Sequence, residues 1–351
     1  MIEIRTFEGD AEELAAFTCR VWRQSYEGKM LTPLWSKEFM GRDLLPDGSK
    51  RDFLIAAYEG SRLVGSHPAK PLKVRVHGQE IDATWASFIS VDPEYRRRGV
   101  ALKLQEEYVR RHRERDLLLN FGYLYIRSAK SLGPKFWLLQ PGGVRLVSKL
   151  GFWVRALDHE AVARFELYRL ESWGSRAMSL LQRPPREPAD TRGIRPYRPT
   201  DLKACCTMLN RAGDEAHLAY VWDADNAARQ LDYPNLSRTV VLEQQGRVAG
   251  LVNYTLLEVL GRSPMRVAVL DNVAFGSLPS NDRRRLLAAA LCEMAADGAK
   301  GAMMIRGSWY AWPELLGAGF LPMPPEFYYV GLTLRNDISL EGIRRLHVLW
   351  R

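Results

Sequence analysis

Arg96, Gly99 and Ala101, spaced as Arg-x-x-Gly-x-Ala, are residues whose types and order could hold an anion. They lie in Val91-Asp92-Pro93-Glu94-Tyr95-Arg96-Arg97-Arg98-Gly99-Val100-Ala101, where an apolar run from Trp85 to Val91 stops at a proline. A helix is expected to open near Gly99 and run through Leu102, Leu104, Tyr108 and Val109. The first amides of a helix have no intrahelical acceptor, and the helix dipole adds about half a positive charge at that end. A phosphate binds there without a base or a metal. Small residues at 99 and 101 let the backbone approach a diphosphate closely, and Arg96, Arg97 and Arg98 add charge beside it. The competing reading is an ordinary strand-to-helix turn followed by a basic surface helix.

The elements that would position this turn recur. Each half of the chain opens with a short strand, a polar corner and a helix. The first copy is Ile2 to Arg5, Asp10, and a helix from about Ala11 to Tyr26; the second is Gly193 to Arg198, Thr200-Asp201, and a helix from Leu202 to about Ala212. Asp10 and Asp201 both suit helix starts. A hairpin with a glycine turn follows in each half: Phe53 to Tyr58 into Arg62 to Gly65, and Thr239 to Glu243 into Arg247 to Gly250. A fourth strand is expected at Ala83 to Val91 and again at Val267 to Phe275. Each leads to a basic triplet opening a helix, Arg96-Arg97-Arg98-Gly99 or Arg283-Arg284-Arg285-Leu286. Further strands are expected at Leu117 to Phe121 and Ala302 to Ile305. Each half then closes on a helix ending in a Gly-Phe pair, at Gly151-Phe152 and Gly319-Phe320, and a final strand.

Length and composition bound the answer. A chain of 351 residues suits two domains. The proline-rich stretch Arg183 to Pro188 reads as a linker, giving a first domain at 1–182, a linker at 183–192 and a second domain at 193–351. With 46% hydrophobic residues a full core is expected rather than disorder. No apolar run reaches the about 18 residues that span a bilayer. The opening Met1-Ile2-Glu3-Ile4-Arg5 carries an acid and reads as a strand rather than a signal peptide. Cys19, Cys205, Cys206 and Cys292 fit no zinc or disulfide spacing, so free thiols in a cytoplasmic protein, with no metal, are expected. The net charge of +9 draws anions generally. Acids interleave with the arginines from Arg110 to Arg115, which makes a mixed-charge face rather than a nucleic-acid stripe. A short packing helix is expected near the end, 336–351, on Leu340, Ile343 and Leu346.

The Val91 to Ala101 segment resembles the coenzyme A-binding motif of the GNAT superfamily of N-acyltransferases, Gln/Arg-x-x-Gly-x-Gly/Ala entered through a Val-x-Pro-x-Tyr turn. Arg96, Gly99 and Ala101 fill the defined positions, Val91, Pro93 and Tyr95 fit the approach, and Lys149-Leu150-Gly151-Phe152 fits the family's ending, which implies Gly151 as a helix C-cap. The resemblance implies two tandem GNAT-like α/β domains of the α+β type, each a mixed, mostly antiparallel sheet flanked by helices. It implies an acyl-CoA donor, acetyl-CoA first, held by Ile89, Ser90, Val91, Arg96, Arg97, Arg98, Gly99, Val100, Ala101 and Leu102. The implied reaction is direct attack of an amine in a ternary complex. A backbone amide between Ile89 and Val91 would serve as oxyanion donor. Leu286 stands where Gly99 stands, so the second copy is expected not to bind coenzyme A in the usual way.

The catalytic inventory departs from the family. The tyrosine expected four residues before Gly151 is Val147, Gln140 stands where a polar residue opens that helix, and the fourth strand offers Ser87, Ser90 and the more distant Asp82. An apparent insertion carries Tyr123, Tyr125, Ser128 and Lys130, and one of the tyrosines, Tyr125 or Tyr123, could supply the missing acid. His67 is either a base facing the pocket or a structural histidine. Asp271 and Asn272 read as a satisfied strand pair or a relocated acceptor site. Trp22, Tyr26, Trp35, Phe39, Trp309, Tyr310 and Trp312 supply either core or a cleft for an acceptor. A small-molecule, amino-sugar or peptide amine is the expected acceptor. Transfer of a longer acyl chain, for which two-halved N-myristoyltransferases are the precedent, and inactive coenzyme A binding are the alternatives.

Overall fold

Asp10 starts the first helix as its type predicts. Its Oδ1 accepts from the Glu13 amide at 2.8 Å, Glu12 and Glu13 sit at the positive end of the dipole, and Leu14, Phe17, Thr18 and Val21 share the buried face. The structure is a computed structural model. It describes residues 1–86, 88–117, 119–126, 133–137, 144–167, 173, 174, 176, 182, 184–307, 312–334 and 338–350. The chain divides into two units, residues 1–149 with 326–343 and residues 150–325 with 344–350.

In the first unit β1 (Ile2–Thr6) leads to α1 (Ala11–Tyr26), β2 (Thr32–Leu34) and α2 (Lys37–Asp43). Then come β3 (Leu54–Glu59), β4 (Arg62–Pro68), β5 (Lys70–Val76), β6 (Gln79–Trp85), β7 (Ser90–Val91), α3 (Val100–Glu114), β8 (Leu119–Tyr125), the short α4 (Gly133–Trp137) and β9 (Val144–Leu150). One sheet has the order β1-β3-β4-β7. α3 covers it with the i, i+4 stripe Val100, Leu104, Tyr108 and His112. The helix comes in so closely at Gly65 that a Cβ there would lie 3.1 Å from both Val100 and Leu104. Leu102 is off that stripe and 50% exposed.

The apolar run from Ala83 to Val91 is not one strand. β6 ends at Trp85 in a second sheet, where it pairs in parallel with β8, while β7 pairs with β4 in the first. Phe88, between them, is fully buried, with its ring 4.7 Å from Trp35, 5.2 Å from Trp85 and 5.9 Å from Phe39. The run is apolar because it fills this aromatic core while the chain changes sheets. Tyr123 and Tyr125 lie on β8 rather than in an inserted loop.

In the second unit β10 (Phe152–Ala156) and α5 (His159–Phe165) are followed by residues 184–193, which carry neither helix nor strand. Then come β11 (Ile194–Pro196), α6 (Leu202–Asp214), β12 (Leu218–Val221), α7 (Ala224–Leu231), β13 (Ser237–Gln244), β14 (Arg247–Leu260), β15 (Pro264–Ala274), α8 (Ser280–Ala296), β16 (Gly301–Ile305), α9 (Trp312–Gly317) and β17 (Leu321–Pro322). The sheet order is β11-β13-β14-β15-β16-β10-β17. α8 packs Leu286, Leu287, Ala290, Leu291 and Met294 onto it. Gly250 repeats the role of Gly65, since a Cβ there would meet Leu278 at 2.5 Å and Leu286 at 3.1 Å. Asp201 stands at the N-cap position of α6 without a side-chain cap there; its carboxylate reaches back to accept from the Arg198 amide, at the start of the preceding 3-10 turn, and from Arg195.

Both units are closed by a strand from the other half of the chain. β10, from the expected first domain, pairs antiparallel with β16 from Phe152↔Ile305 to Ala156↔Gly301. β18 (Phe327–Thr333), from the expected second domain, pairs with β8 from Phe327↔Tyr125 to Thr333↔Leu119. The segment before Gly151 is therefore β9, a strand of the sheet β5-β6-β8-β18-β9, and not a helix. Gly151 is no C-cap, and a Cβ on it would strike the Met323 carbonyl at 2.5 Å. Gly319 does cap α9, with φ +81 and an amide bond to Leu316 O at 2.9 Å. The end of the chain shows no helix among the described residues: Leu340, Ile343 and Leu346 are buried, but on irregular chain and β19 (Leu346–His347). Among the described residues no helix is long and apolar enough to cross a membrane, and no group of three or more His, Cys, Asp or Glu could hold a metal.

Candidate active site

Asp92 organises the turn before α3. Its Oδ1 accepts from the Glu94 amide at 3.2 Å, and its Oδ2 takes Arg20 at 2.9 Å and Arg62 at 3.2 Å. Burial raises its pKa, but Arg20, the Glu94 amide and Arg62 outweigh it, so the carboxyl is held below its usual range. Tyr95 is buried against the turn, donates its hydroxyl to Glu59, and lies between the Arg62 and Arg98 guanidiniums at 5.3 Å and 5.0 Å.

The chain then enters the helix through left-handed backbone. Arg97 has φ 61 and Gly99 has φ 76, the second as N-cap with no side-chain cap on the helix. A Cβ on Gly99 would have nothing within 4 Å. Arg97, Arg98, Gly99 and Leu102 are exposed, Ala101 is half-buried, and Val100 is buried under the helix. The first amides of α3, those of Val100, Ala101 and Leu102, thus have no intrahelical acceptor and no side-chain cap, and they follow directly on two exposed arginines and an open Gly99. Arg96 turns the other way. Its Nε donates to Val91 O at 3.2 Å, and its Nη2 donates to Ser25 Oγ on α1.

The strand leading in is also tied to α1. Trp22 Nε1 donates to Ser90 Oγ at 3.0 Å, and Ser90 Oγ donates to Phe88 O at 2.9 Å. Sequence reasoning missed these ties, because Trp22–Ser90, Arg20–Asp92 and Arg96–Ser25 join residues about 70 positions apart. The aromatic run Trp22, Trp35 and Phe39 packs on Phe88, which makes it core beside this strand. Trp309 and Tyr310 and the Trp312 side chain lie outside the described residues.

The candidate acid and base groups scatter. Tyr123 is buried beside Tyr329, 4.9 Å between ring centroids, and Tyr125 lies 5.4 Å from Phe327. They share one face of β8. Ser87, Ser128, Lys130 and Gln140 lie outside the described residues. Val147 is on β9, and Asp82 is exposed on β6. His67 is fully buried, its ring 4.2 Å from Tyr108 and 5.5 Å from Trp137. Burial, with His112 nearby, pushes its pKa down to about 3, so it is neutral and shielded from solvent. Below it Thr84 Oγ1 meets Tyr108 Oη at 2.9 Å, His112 Nε2 at 2.7 Å and Asn120 Oδ1 at 3.1 Å. The spacing Tyr108-x-x-x-His112 was the available signal for this network.

In the second unit Asp271 and Asn272 are satisfied. Asp271 accepts from Gln230 at 2.8 Å and from Thr255, and Asn272 donates to Asn253 at 3.1 Å. They sit at a bulge where β15 passes Asn253 and Tyr254 of β14.

Residues 4–128 match the family model described as acetyltransferase (GNAT) domain. No curated protein matches the chain in sequence. Among solved structures, N-myristoyltransferase from Saccharomyces cerevisiae with bound myristoyl-CoA is similar over 100% of this chain and 89% of its own, with TM-score 0.78 and 14% identity. A GCN5-related N-acetyltransferase from Anabaena variabilis is similar over 95% of this chain and 73% of its own, with TM-score 0.57 and 10% identity. At these identities the likeness concerns the fold. Residues 4–128 thus match a GNAT acetyltransferase domain, and the chain as a whole shares the fold of these solved structures.

Proposed function

We propose that this chain is an N-acyltransferase that takes an acyl group from an acyl-CoA, acetyl-CoA being the first candidate, and gives it to an amine by direct attack in a ternary complex. The observation that carries this reading is the entrance of α3: a left-handed Gly99 under open space, uncapped helix amides and two exposed arginines, all inside the matched domain. In this reading the amides of Val100, Ala101 and Leu102 take the diphosphate, Arg97 and Arg98 add charge, and Arg96 braces the turn through Val91. Ile89, Ser90 and Val91 form the edge along which the thioester lies. Tyr123, Tyr125 and Ser87 stay candidates for proton transfer, with water as the carrier. The acceptor is an amine of a small molecule, amino sugar or peptide.

The test is calorimetry with acetyl-CoA on wild type and Gly99→Trp, with circular dichroism to show that the variant folds. One equivalent bound by wild type and none by the variant supports the reading. Equal binding by both sinks it. A longer acyl donor is the second reading, favoured by the whole-chain likeness to an N-myristoyltransferase. A panel from acetyl-CoA to myristoyl-CoA separates the two, and binding without turnover of any amine would leave a coenzyme A-binding protein.

A further inference from the structure

We infer that Ser90 and Trp22 are positioning residues that aim the Ile89 amide at the thioester carbonyl, an inference that rests on the acyl-CoA reading above. β7 is the last strand of its sheet. The Asp92 amide donates to Val64 O at 3.0 Å, so Asp92 and, two residues back, Ser90 face β4, while Val91 faces the outer edge. Arg96 reaches the Val91 carbonyl from that side. By the same alternation the Ile89 amide belongs to the outer edge, where a ligand laid along the strand would meet it.

No ladder holds Ile89 there, because the strand begins only at Ser90. The peptide between Phe88 and Ile89 is fixed by a side chain instead. Ser90 Oγ donates to the Phe88 carbonyl at 2.9 Å. In a trans peptide the N–H points opposite to the carbonyl, and no cis bond occurs among the described residues. Holding Phe88 O therefore holds the Ile89 N–H outward. The proton count fixes the direction. An indole N–H only donates, so Ser90 Oγ accepts from Trp22 at 3.0 Å and directs its one proton to Phe88 O. At 2% exposure Ser90 has no water to substitute for either partner. Trp22 is itself held edge-on by Tyr26 at 6.0 Å and Trp35 at 6.2 Å.

The chemistry asks for such an aimed amide. As the amine nitrogen bonds to the carbonyl carbon, the π pair moves onto oxygen. It returns as the C–S bond breaks, and the amine's proton passes through water to the thiolate. A donor already pointing at that oxygen stabilises the charge without reorganising.

The test is isotope-edited infrared spectroscopy of carbonyl-labelled acetyl-CoA bound to the full chain. A hydrogen bond from the Ile89 amide lowers the carbonyl frequency below that of free acetyl-CoA. Ser90→Ala is expected to abolish that shift and to lower kcat about tenfold or more at similar KM. Trp22→Phe keeps the ring and loses the donor, so it gives a partial loss, and Ser90→Thr restores the shift. A wild-type carbonyl unshifted while bound, or an equal shift in wild type, Ser90→Ala and Trp22→Phe, overturns the inference and leaves the acyl-CoA reading standing. Absence of acetyl-CoA binding by wild type overturns that reading and the inference with it.

Discussion

The entrances of α3 and α8 start from the same basic triplet and use it in opposite ways. At α3 the triplet precedes the helix: Arg97 and Arg98 are exposed and Gly99 turns left-handed under open space. α8 begins at Ser280, so Arg283, Arg284 and Arg285 fall inside it. Arg283 donates to Leu278 O at 2.6 Å and to Glu314 at 3.2 Å. Arg285 donates to Asp190 O, Arg192 O and Asp282 at 2.8, 2.9 and 2.6 Å. Leu286 is not at the entrance at all. It is buried on Gly250, as Val100 and Leu104 are on Gly65. What separates the two entrances is therefore not a leucine standing in the place of Gly99. The second helix starts earlier, and its arginines hold the unit together.

That difference can be broken by stoichiometry. One equivalent of acyl-CoA per chain is expected. Gly99→Trp should cost about a hundredfold or more in affinity, and Ser280→Trp at the exposed start of α8 should cost nothing; two equivalents in wild type would end the contrast. A cross-comparison of arginines comes next in size. Arg285→Ala should lower unfolding stability by about 1–2 kcal/mol and leave acyl-CoA affinity alone. Arg97→Ala should do the reverse, weakening binding with stability changed by less than about 0.5 kcal/mol. Denaturant unfolding and calorimetry on both variants read this directly.

A smaller contrast concerns acid. In the first unit burial holds His67 to about 3 and His112 to about 4, while in the second it holds His347 to about 4. All three return to about 6.5 on unfolding. The unfolded state then binds more protons, so this stability is full above about pH 6.5 and is lost as pH falls toward about 4. With two such groups against one, amide protection in α3 should fall more steeply over that window than protection in β14 and β15. Equal slopes by hydrogen exchange would remove the distinction.

Local signals carried the sequence reading where it held. Asp10 names the start of α1, the glycine turns name both hairpins, and Gly99 marks the entrance of α3 because its conformation depends on that residue alone. Where pairing partners are distant, the signals failed. An apolar Ala83 to Val91 reads as one strand whether it pairs or fills an aromatic core. Val144 to Leu150 reads equally as helix or strand until β18 is known to lie beside it. The candidate site divides the same way. The left-handed turn into α3 was legible, and the side chains from α1 that brace it were not.

The exchanged closing strands have a consequence for how this protein is made. The edge of β8 waits for Phe327 to Thr333, which leave the ribosome roughly 200 residues later, or about ten to forty seconds at ordinary synthesis rates. Through that interval the nascent first unit carries an open strand edge, the kind of surface that chaperones cover and neighbouring chains invade. A gene split within the 183–192 stretch would therefore encode two incomplete halves, rescued only when both are synthesised together. The duplicated plan is written twice in the sequence but inherited as one indivisible piece.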